Sequence, residues 1–235
     1  MTESAFFLPQ NVKSYLGEDL MSCVTCFHLN TQSAKNKAVD LELLFDQFGF
    51  YFDVIKLTET WYTDEADVLK LPSYRSFYVN RSEKRGSGVA ILTKDSHCEL
   101  IKDFSCVTQD YEMLCVRSKD NIVAVIYRPS SGSLETFFEF FESFLIFVNE
   151  GKYNVTCCGD FNIDMCTDTT DKRTFTTLIN TGGCRNVINS PTRVTCQSKT
   201  LIDLFISNRL TEHIKAGVVC CDLSDCREVR DIGKK

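Results

Sequence analysis

The sequence predicts one α/β domain, and three observations support this fold class. Short runs rich in β-branched and aromatic side chains have the composition of β-strands. Between them lie segments whose apolar residues recur every third or fourth position, as in amphipathic helices. The chain has 235 residues, of which 43% are hydrophobic and 25% charged, and this is enough for one sizeable core.

The domain boundaries follow from where this alternation starts and stops. No internal repeat, low-complexity segment or linker rich in proline, glycine and serine divides the chain. We therefore expect a single domain over residues 21–226. Residues 1–20 have no clear periodicity and are predicted to form a poorly ordered leader, and residues 227–235 are predicted to be a tail outside the domain.

The first half of the domain is predicted to contain three strands and one helix. Apolar runs predict strands over residues 22–29, 53–57 and 88–93. A helix is predicted over residues 37–48, because its apolar residues follow the i, i+3, i+4, i+7 spacing of one helix face. That face consists of Leu41, Leu44, Phe45 and Phe48.

The second half is predicted to begin with a hairpin and a strongly apolar helix. Strand patterns over residues 112–117 and 121–127 flank a short polar turn. The helix over residues 134–148 follows Ser133, a preferred N-cap residue, and its six phenylalanines indicate core packing. The remaining predicted elements are a strand at 153–158, a helix at 174–180 and final strands at 201–206 and 217–221.

The segment GDFN, which follows the strand at 153–158, is the most informative motif of the chain. Gly159 allows the backbone to turn there. Alternation at a strand end would then point Asp160 and Asn162 in the same direction, into a cleft beyond the sheet. A carboxylate that transfers protons and an amide that stabilises an oxyanion suit phosphodiester chemistry. An ordinary loop aspartate with a capping asparagine is the alternative.

Other polar residues also stand at predicted strand ends. They are, in chain order, Asn30, Glu59, Tyr127, Asp203 and the pair Ser224-Asp225. Each alone has an ordinary explanation, such as a turn, a cap or a surface acid. Because strand ends of a mixed sheet gather at one edge, the set together predicts a site.

Seven segments, taken in order, resemble the endonuclease domain of LINE-type (non-LTR) retrotransposons. This domain belongs to the exonuclease–endonuclease–phosphatase superfamily, with apurinic endonucleases and deoxyribonuclease I. The resemblance implies a four-layer sandwich of two packed mixed β-sheets flanked by helices. It also implies DNA as the partner, and a parent element that carries a reverse transcriptase domain. The matching segments are HLNTQSAKNK, VIKLTETWYTD, RGSGVAILTK, VIYRPSSGSLETF, CGDFNIDM, SPTRVTCQSKTLIDLFISN and LSD.

The resemblance implies a metal site and an acid–base group. Glu59 corresponds to the main ligand of Mg²⁺ (or Mn²⁺), assisted by Asn30 and Asp225. Mg²⁺ prefers hard oxygen ligands and keeps several waters, so one or two carboxylates suffice. Asp160 corresponds to the acid/base group at the scissile phosphate, and Asn162 to the amide that stabilises the pentacovalent phosphate.

Further roles follow from the same resemblance. Tyr127 corresponds to a residue that hydrogen-bonds a phosphate oxygen, and Asp203 to the carboxylate that orients a catalytic histidine. Three more residues are predicted to contact the substrate, namely Thr195, Ser224 and Arg128.

One departure from the family pattern concerns that histidine. The pattern ends Ser-Asp-His before an apolar strand, whereas this chain has Cys226 followed by the charged tail REVRDIGKK. A thiol is a poor replacement, because its reference pKa is about 8.5 against about 6.5 for imidazole. We therefore expect impaired activity and a sheet that lacks its last strand. A smaller departure is Gln32, where related sequences often carry arginine.

Composition limits the other classes of function. The net charge of −6 and the pI of about 5.2 argue against binding nucleic acid by bulk charge alone, although they do not exclude a nuclease. The 13 cysteines lie mostly in apolar runs, which predicts buried thiols and an intracellular protein, nuclear or cytoplasmic and not secreted. No apolar run is long enough to span a membrane, and the first residues lack the basic start of a signal peptide.

Three hypotheses follow for function. The first is a metal-dependent endonuclease domain that nicks DNA, derived from a non-LTR retrotransposon and impaired by the loss of the histidine. The second is an inactive relic that only binds nucleic acid or a partner. The third is a phosphatase or phosphodiesterase of the same superfamily that acts on a small substrate.

Overall fold

The computed structural model describes residues 5–17, 20, 23–80, 86–209, 215–221 and 223. Its helices are α1 (Pro9–Leu16), α2 (Ala38–Gln47), α3 (Leu134–Glu150) and α4 (Thr170–Thr181), with 3₁₀ turns at Ala34–Lys37, Glu65–Asp67 and Lys102–Phe104. The strands are β1 (Ala5–Phe7), β2 (Cys26–Asn30), β3 (Val54–Thr58), β4 (Arg75–Val79), β5 (Val89–Thr93), β6 (Glu99–Leu100), β7 (Cys106–Val107), β8 (Glu112–Ser118), β9 (Asn121–Tyr127), β10 (Asn154–Asp160), β11 (Arg185–Asn186), β12 (Arg193–Val194), β13 (Lys199–Thr200), β14 (Asp203–Ser207) and β15 (Gly217–Val219).

Two larger mixed sheets form the centre of the molecule. The four-stranded sheet has the order β2-β3-β5-β4, and β2 runs parallel to β3. The seven-stranded sheet has the order β11-β14-β10-β9-β8-β6, with β7 also paired to β8, and β9 runs parallel to β10. Two small sheets, β1–β15 and β12–β13, complete the pairing.

The sheets and helices form four layers. Apolar side chains of both sheets pack against each other between them, including Val54 and Ile91 from one sheet and Leu114 and Val125 from the other. The outer face of the four-stranded sheet is covered by α1 and α2, and that of the seven-stranded sheet by α3 and α4. This is the α/β sandwich that the sequence predicts.

The phenylalanine-rich helix α3 contributes five buried residues to the core on the seven-stranded sheet. Phe137, Phe141 and Phe144 are completely buried, and the first two pack against Phe161 and Phe175. Burial of each such ring contributes about 1.5–3 kcal/mol. Ser133 caps the helix by accepting a hydrogen bond from the Thr136 amide, so the predicted start of α3 is confirmed.

The predicted hairpin is also present. Strands β8 and β9 are antiparallel and pair from Glu112–Tyr127 to Ser118–Asn121, which leaves a two-residue turn. Lys119 in this turn has a φ of 53°, a left-handed conformation that tight hairpin turns require.

The prediction of a poorly ordered leader is wrong for the part that the structure describes. Strand β1 pairs in parallel with β15 near the other end of the chain, and Val12 of α1 packs into the core under the four-stranded sheet. The strand partner of β1 lies near the other end of the described chain, with Ala5 opposite Gly217, so no local pattern in the sequence marks this strand. The proposed tail, residues 227–235, lies outside the described residues.

The turn predicted at Gly159 is absent, because β10 continues through this glycine to Asp160. Gly159 has a φ of 152°, and a Cβ there would lie 1.8 Å from the carbonyl oxygen of Ile126 on the neighbouring strand. The glycine therefore permits close approach of two strands and does not end one.

Several boundaries also differ from the predicted ones. Strand β2 begins at Cys26, four residues later than predicted. Helix α4 begins four residues earlier, at Thr170, because the Thr169 hydroxyl accepts a hydrogen bond from the Lys172 amide and caps it. Among the residues that the structure describes, no helix has the length and apolar character of a membrane span.

Candidate active site

Six of the predicted site residues line one cleft between the two sheets, near the ends of β2 and β10, namely Asn30, Glu59, Tyr127, Asp160, Asn162 and Asp203. The Asn30 side chain ends β2 and donates one amide hydrogen to Glu59 Oε1 at 2.8 Å and the other to Asp160 Oδ2 at 2.9 Å. A single amide group therefore joins residues from both sheets, and Asn30 and Asp160 are 130 positions apart in the chain. The structure brings together three of the residues that the sequence predicts.

Glu59 is held in this position by its backbone. It follows β3 with a φ of 52°, and its carbonyl oxygen accepts hydrogen bonds from the Ser33 amide at 2.8 Å and the Thr31 hydroxyl at 3.0 Å. A left-handed conformation costs a residue other than glycine about 1–3 kcal/mol and is typical of functional sites. Gln32, Ser33, Trp61 and Asn162 also have positive φ angles, so the strain is concentrated in the loops around the cleft.

Asp160 is the most deeply buried acid of the cleft, with 5% of its surface exposed. Burial raises the pKa of its carboxyl group well above the usual value, and the neighbouring charge of Asp203 raises it further. Hydrogen bonds from Asn30 and from the Asn162 amide, at 2.9 and 3.1 Å, act in the opposite direction. A buried carboxyl group with a raised pKa is suited to proton transfer in acid–base catalysis.

The Asn162 side chain lines the same cleft, but for a different reason from the predicted one. Strand β10 ends at Asp160, so Asn162 lies in the following turn and not in an alternating strand. Its φ is 49°, and its side-chain amide donates a hydrogen bond to the Arg128 carbonyl oxygen at 2.8 Å. This contact uses one of the two amide hydrogens.

Arg128 does not take the predicted role of a substrate contact. Its guanidinium group is buried and donates to four backbone carbonyl oxygens, at distances of 2.8–3.1 Å. Two of these belong to Phe161 and Asn162, so Arg128 fixes the loop that carries the predicted phosphate-binding amide. Burial lowers the pKa of this guanidinium, and the charges of Asp160 and Asp171 partly oppose that shift.

Asp203 lies on β14, directly opposite Asp160 in the strand pairing. His28, which the sequence analysis did not select, approaches it from the other sheet, with Nδ1 at 3.8 Å from Asp203 Oδ1. Burial lowers the pKa of His28 to about 3, so the imidazole is neutral, and Nε2 lies 3.3 Å from the Thr58 hydroxyl. Its position two residues before Asn30 places both side chains on one face of β2, and this spacing could have pointed to it.

The remaining predicted residues divide into three cases. Tyr127 is paired with Asp160 in the sheet register and lines the cleft. Thr195 does not line the cleft, because it lies in the β12–β13 hairpin, where its hydroxyl is 3.0 Å from that of Ser198. Thr192 lines the cleft instead. Ser224, Asp225 and Cys226 lie outside the described residues.

The donor set fits a hard divalent cation such as Mg²⁺ or Mn²⁺. Glu59 supplies a carboxylate and Asn30 an amide oxygen, whose one described contact is the Gln32 amide at 3.3 Å. Within the described ranges no three His, Cys, Asp or Glu side chains are grouped as a metal-binding cluster. Two oxygen ligands nevertheless match a metal that retains several waters.

Comparison with known proteins agrees with this geometry. Residues 27–225 match the sequence model of the Endonuclease/Exonuclease/phosphatase family. The chain belongs to this family. The superfamily that the ordered motifs indicated is therefore confirmed, whereas no curated protein matches the chain.

Several solved structures of the Endonuclease/Exonuclease/phosphatase type are similar to this chain. The 3′ phosphatase NExo from Neisseria is 14% identical with a TM-score of 0.58, and the match covers 79% of this chain and 86% of that one. The endonuclease domain of TRAS1, a telomere-specific non-LTR retrotransposon, is 13% identical with a TM-score of 0.55, over 77% and 83% of the two chains. The AP endonuclease LMAP from Leishmania major is 14% identical with a TM-score of 0.56, over 78% of each. At these identities the likeness establishes the fold.

Proposed function

We propose that this protein is a metal-dependent phosphodiester hydrolase that nicks DNA. The observation that carries the proposal is the Asn30 amide, which joins Glu59 of one sheet to Asp160 of the other. This contact sets a hard-oxygen metal site beside a carboxyl group with a raised pKa. Hydrolysis of a phosphodiester needs both, because negative charge must be neutralised while a proton is moved.

Each residue of the cleft has a defined task in this proposal. Glu59 and Asn30 hold Mg²⁺, which when bound neutralises charge on the phosphate. Asp160 accepts a proton from the attacking water at a carboxylate oxygen. Asn162 directs its remaining amide hydrogen at the phosphate oxygen that gains negative charge. Tyr127, at the end of the neighbouring strand, is positioned to contact another phosphate oxygen.

DNA is the proposed substrate. One of the similar structures is a 3′ phosphatase bound to a product DNA hairpin, and another is named an AP endonuclease. The TRAS1 domain and the ordered motifs support an origin in a non-LTR retrotransposon, whose parent element carries a reverse transcriptase. Basic side chains also line the cleft and can contact a backbone, namely Lys94, Arg193, Arg209 and Lys215.

We further propose that the activity is weak. Cys226 occupies the motif position of a histidine, and its thiol cannot replace an imidazole as a hydrogen-bonded acid or base near neutral pH. Asp203 then lacks the group that the family pattern pairs with it.

A plasmid-nicking assay with Mg²⁺, compared with chelator, tests the proposal. Asp160→Asn should reduce nicking by about 10²–10⁴-fold, the range of an acid–base group, with little change in melting temperature. Glu59→Gln should reduce it as well. Asp168→Asn is the matched control, because this exposed carboxylate pairs with Arg173 away from the cleft. Full activity of Asp160→Asn, or its failure to fold, would contradict the assigned chemistry.

Measurements of DNA binding and of phosphate release, made beside the nicking assay, distinguish the two other hypotheses for function. A protein that binds DNA but nicks it at no concentration would be the inactive relic, which the cysteine at position 226 favours. A protein that releases phosphate from small phosphomonoesters without nicking DNA would be a superfamily phosphatase that acts on a small substrate.

A further inference from the structure

Lys56 is a buried lysine that the proposed activity does not use. It lies in the middle of β3 and is 0% exposed. Successive side chains of a strand alternate, so Lys56 shares the face of Val54, which packs between the two sheets. In the part of the chain that the structure describes, no carboxylate forms an ion pair with the Lys56 ammonium group. Because a fully buried lysine is rare unless it is paired, this position needs an explanation.

The ammonium group of Lys56 contacts the other sheet. Its Nζ donates a hydrogen bond to the Thr156 carbonyl oxygen at 3.0 Å and lies 5.2 Å from the centre of the Phe205 ring. Thr156 belongs to β10 and Phe205 to β14, and these strands are paired in the seven-stranded sheet. Both contacts favour a cation, because a carbonyl oxygen and the face of an aromatic ring carry partial negative charge. A side chain of one sheet is therefore bonded to the backbone of the other.

Stability alone does not explain a lysine at this position. Removal of an ammonium group from water costs more than one hydrogen bond and one ring contact contribute. The nearby thiols of Cys26, Cys157 and Cys158 do not offset this cost with a negative charge, because burial raises the pKa of each. Replacement of a buried charged group by an apolar one of similar volume is often neutral or stabilising. What Lys56 adds is a directional bond between the sheets.

This bond lies near the candidate site along both strands. Lys56 precedes Glu59 by three residues, and Thr156 precedes Asp160 by four. At about 3.3 Å per residue, these separations are roughly 10–13 Å. The Asn30 amide joins Glu59 to Asp160 at the ends of the strands. Two polar links at different heights therefore connect the same two segments of chain.

A second link restricts motions that the first one permits. With the Asn30 bridge alone, the two sheets could rotate or slide about the strand ends. Apolar contacts between the sheets do not prevent this, because the hydrophobic effect has no preferred direction. A hydrogen bond weakens steeply when its distance or angle changes, so the bond from Lys56 to Thr156 favours one offset of β3 against β10.

We infer that Lys56 is a positioning residue. Its bond to the Thr156 carbonyl sets the offset between β3 and β10, and this offset sets the separation of Glu59 from Asp160. The effect of Lys56 on nicking rests on the proposed function, whereas its effect on the Asn30 bridge does not. The two effects are therefore measured separately.

Two substitutions of Lys56 remove the bond, and a third variant is the control. Lys56→Met has a similar volume and no branch, but no donor and no charge, and it should not lower the melting temperature. Lys56→Gln keeps a polar group on a side chain that is one bond too short to reach Thr156. Lys13→Met is the matched control, because Lys13 also donates to a backbone carbonyl, that of Gly49 at 2.9 Å, from an exposed position on α1.

The Asn30 side-chain amide reports the bridge without any activity. Heteronuclear NMR of the full chain in chelator detects its two hydrogens, which are assigned by their loss in Asn30→Ser. Both hydrogens are bonded to carboxylates. In Lys56→Met and Lys56→Gln at least one should move towards the position of a free amide, and in Lys13→Met neither should move. Unchanged Asn30 resonances in both Lys56 variants would overturn the inference, and so would loss of the folded spectrum in both.

Nicking kinetics with Mg²⁺ give the second readout. A displacement of about 1 Å can lower a rate by about 10²-fold, so the kcat of Lys56→Met should fall about tenfold or more. The KM for plasmid should not change, because the substitution alters no group that faces the DNA. A lower melting temperature with unchanged kcat would make Lys56 a structural residue and contradict the inference. A wild-type protein that nicks no DNA would contradict the proposed function, and the Asn30 resonances would still decide the role of Lys56.

Discussion

The two strands that end at the candidate site differ in how they are paired. β10, which ends at Asp160, lies between β9 and β14 and is paired on both sides along its length. β2, which ends at Asn30, is paired on one side within the described residues. Central strands open only with the whole fold, whereas edge elements open at lower free energy. Asp160, the proposed acid–base group, thus ends a strand paired on both sides, whereas Asn30, which joins it to Glu59, ends a strand paired on one side in the described part of the chain.

The two halves also differ in their cores. The helices on the seven-stranded sheet contribute a cluster of fully buried phenylalanines, and this cluster includes Phe161 beside Asp160. The cluster under the four-stranded sheet borders the open cleft through Val12 and Phe27. The difference teaches that the candidate site joins a side with a dense aromatic core to a side that borders the cleft.

The largest expected effect concerns the broken motif. Cys226→His restores an imidazole at the motif position, and nicking should rise by about 10²-fold or more if this group is the main defect. If the charged segment after Cys226 is the main defect, the substitution alone should have no effect, whereas an apolar strand appended after residue 226 should raise the melting temperature. Equal nicking by the wild-type protein and the Cys226→His variant, together with no rise in melting temperature from the appended strand, would contradict both explanations.

The next prediction concerns the core between α3 and the seven-stranded sheet. Phe141 is fully buried on α3, so Phe141→Ala should destabilise the protein by about 3–5 kcal/mol through lost contacts and a cavity. Ile146→Ala on the same helix is the matched control, since Ile146 is 51% exposed, and should cost less than about 0.5 kcal/mol. Urea unfolding followed by circular dichroism measures both. Similar costs for the two variants would mean that this core does not set the stability.

A glycine pair tests the close approach of β10 and β9. Gly159→Ala places a methyl group against the Ile126 carbonyl and should cost about 1–3 kcal/mol from crowding, in addition to backbone strain. Gly183 also has a positive φ, at 70°, but there is open space where the methyl group of Gly183→Ala would lie. It should therefore cost only the strain. Chemical denaturation gives both values, and equal costs would refute the steric role of Gly159.

A metal titration tests the proposed metal site at the end of the four-stranded sheet. Glu59→Gln should reduce Mg²⁺ affinity by at least about tenfold, or about 1.4 kcal/mol, because it removes the charged ligand. Isothermal titration calorimetry on both proteins measures this. Equal affinities would place the metal elsewhere in the cleft.

The last prediction concerns the redox state of the cysteine thiols, for which we expect no disulfide. No disulfide joins any of the twelve cysteines in the described ranges, and burial raises the pKa of most of them, including Cys157 and Cys184. Thiol titration under denaturing, non-reducing conditions should therefore recover nearly all 13. Recovery of only a few would contradict the predicted intracellular location.

The sequence by itself determined the elements whose pattern is local. The face of α2, the capped start of α3 and the β8–β9 hairpin all follow from spacing within one segment, and the structure agrees with each. The residue types of the candidate site could also be predicted, because carboxylates and amides stand at several predicted strand ends in the order of the family motifs. The prediction that these side chains lie in one cleft required only the rule that strand ends gather at one edge of a sheet.

The tertiary structure alone decided which of these residues touch. The Asn30 bridge, the approach of His28 to Asp203 and the inward turn of the Arg128 guanidinium join positions that are far apart in the chain. The pairing of β1 with β15 and the continuation of β10 through Gly159 have the same origin. Periodicity reports which face of a segment is apolar, but a hydrogen bond between two sheets depends on how those sheets pack, and no single segment carries that information.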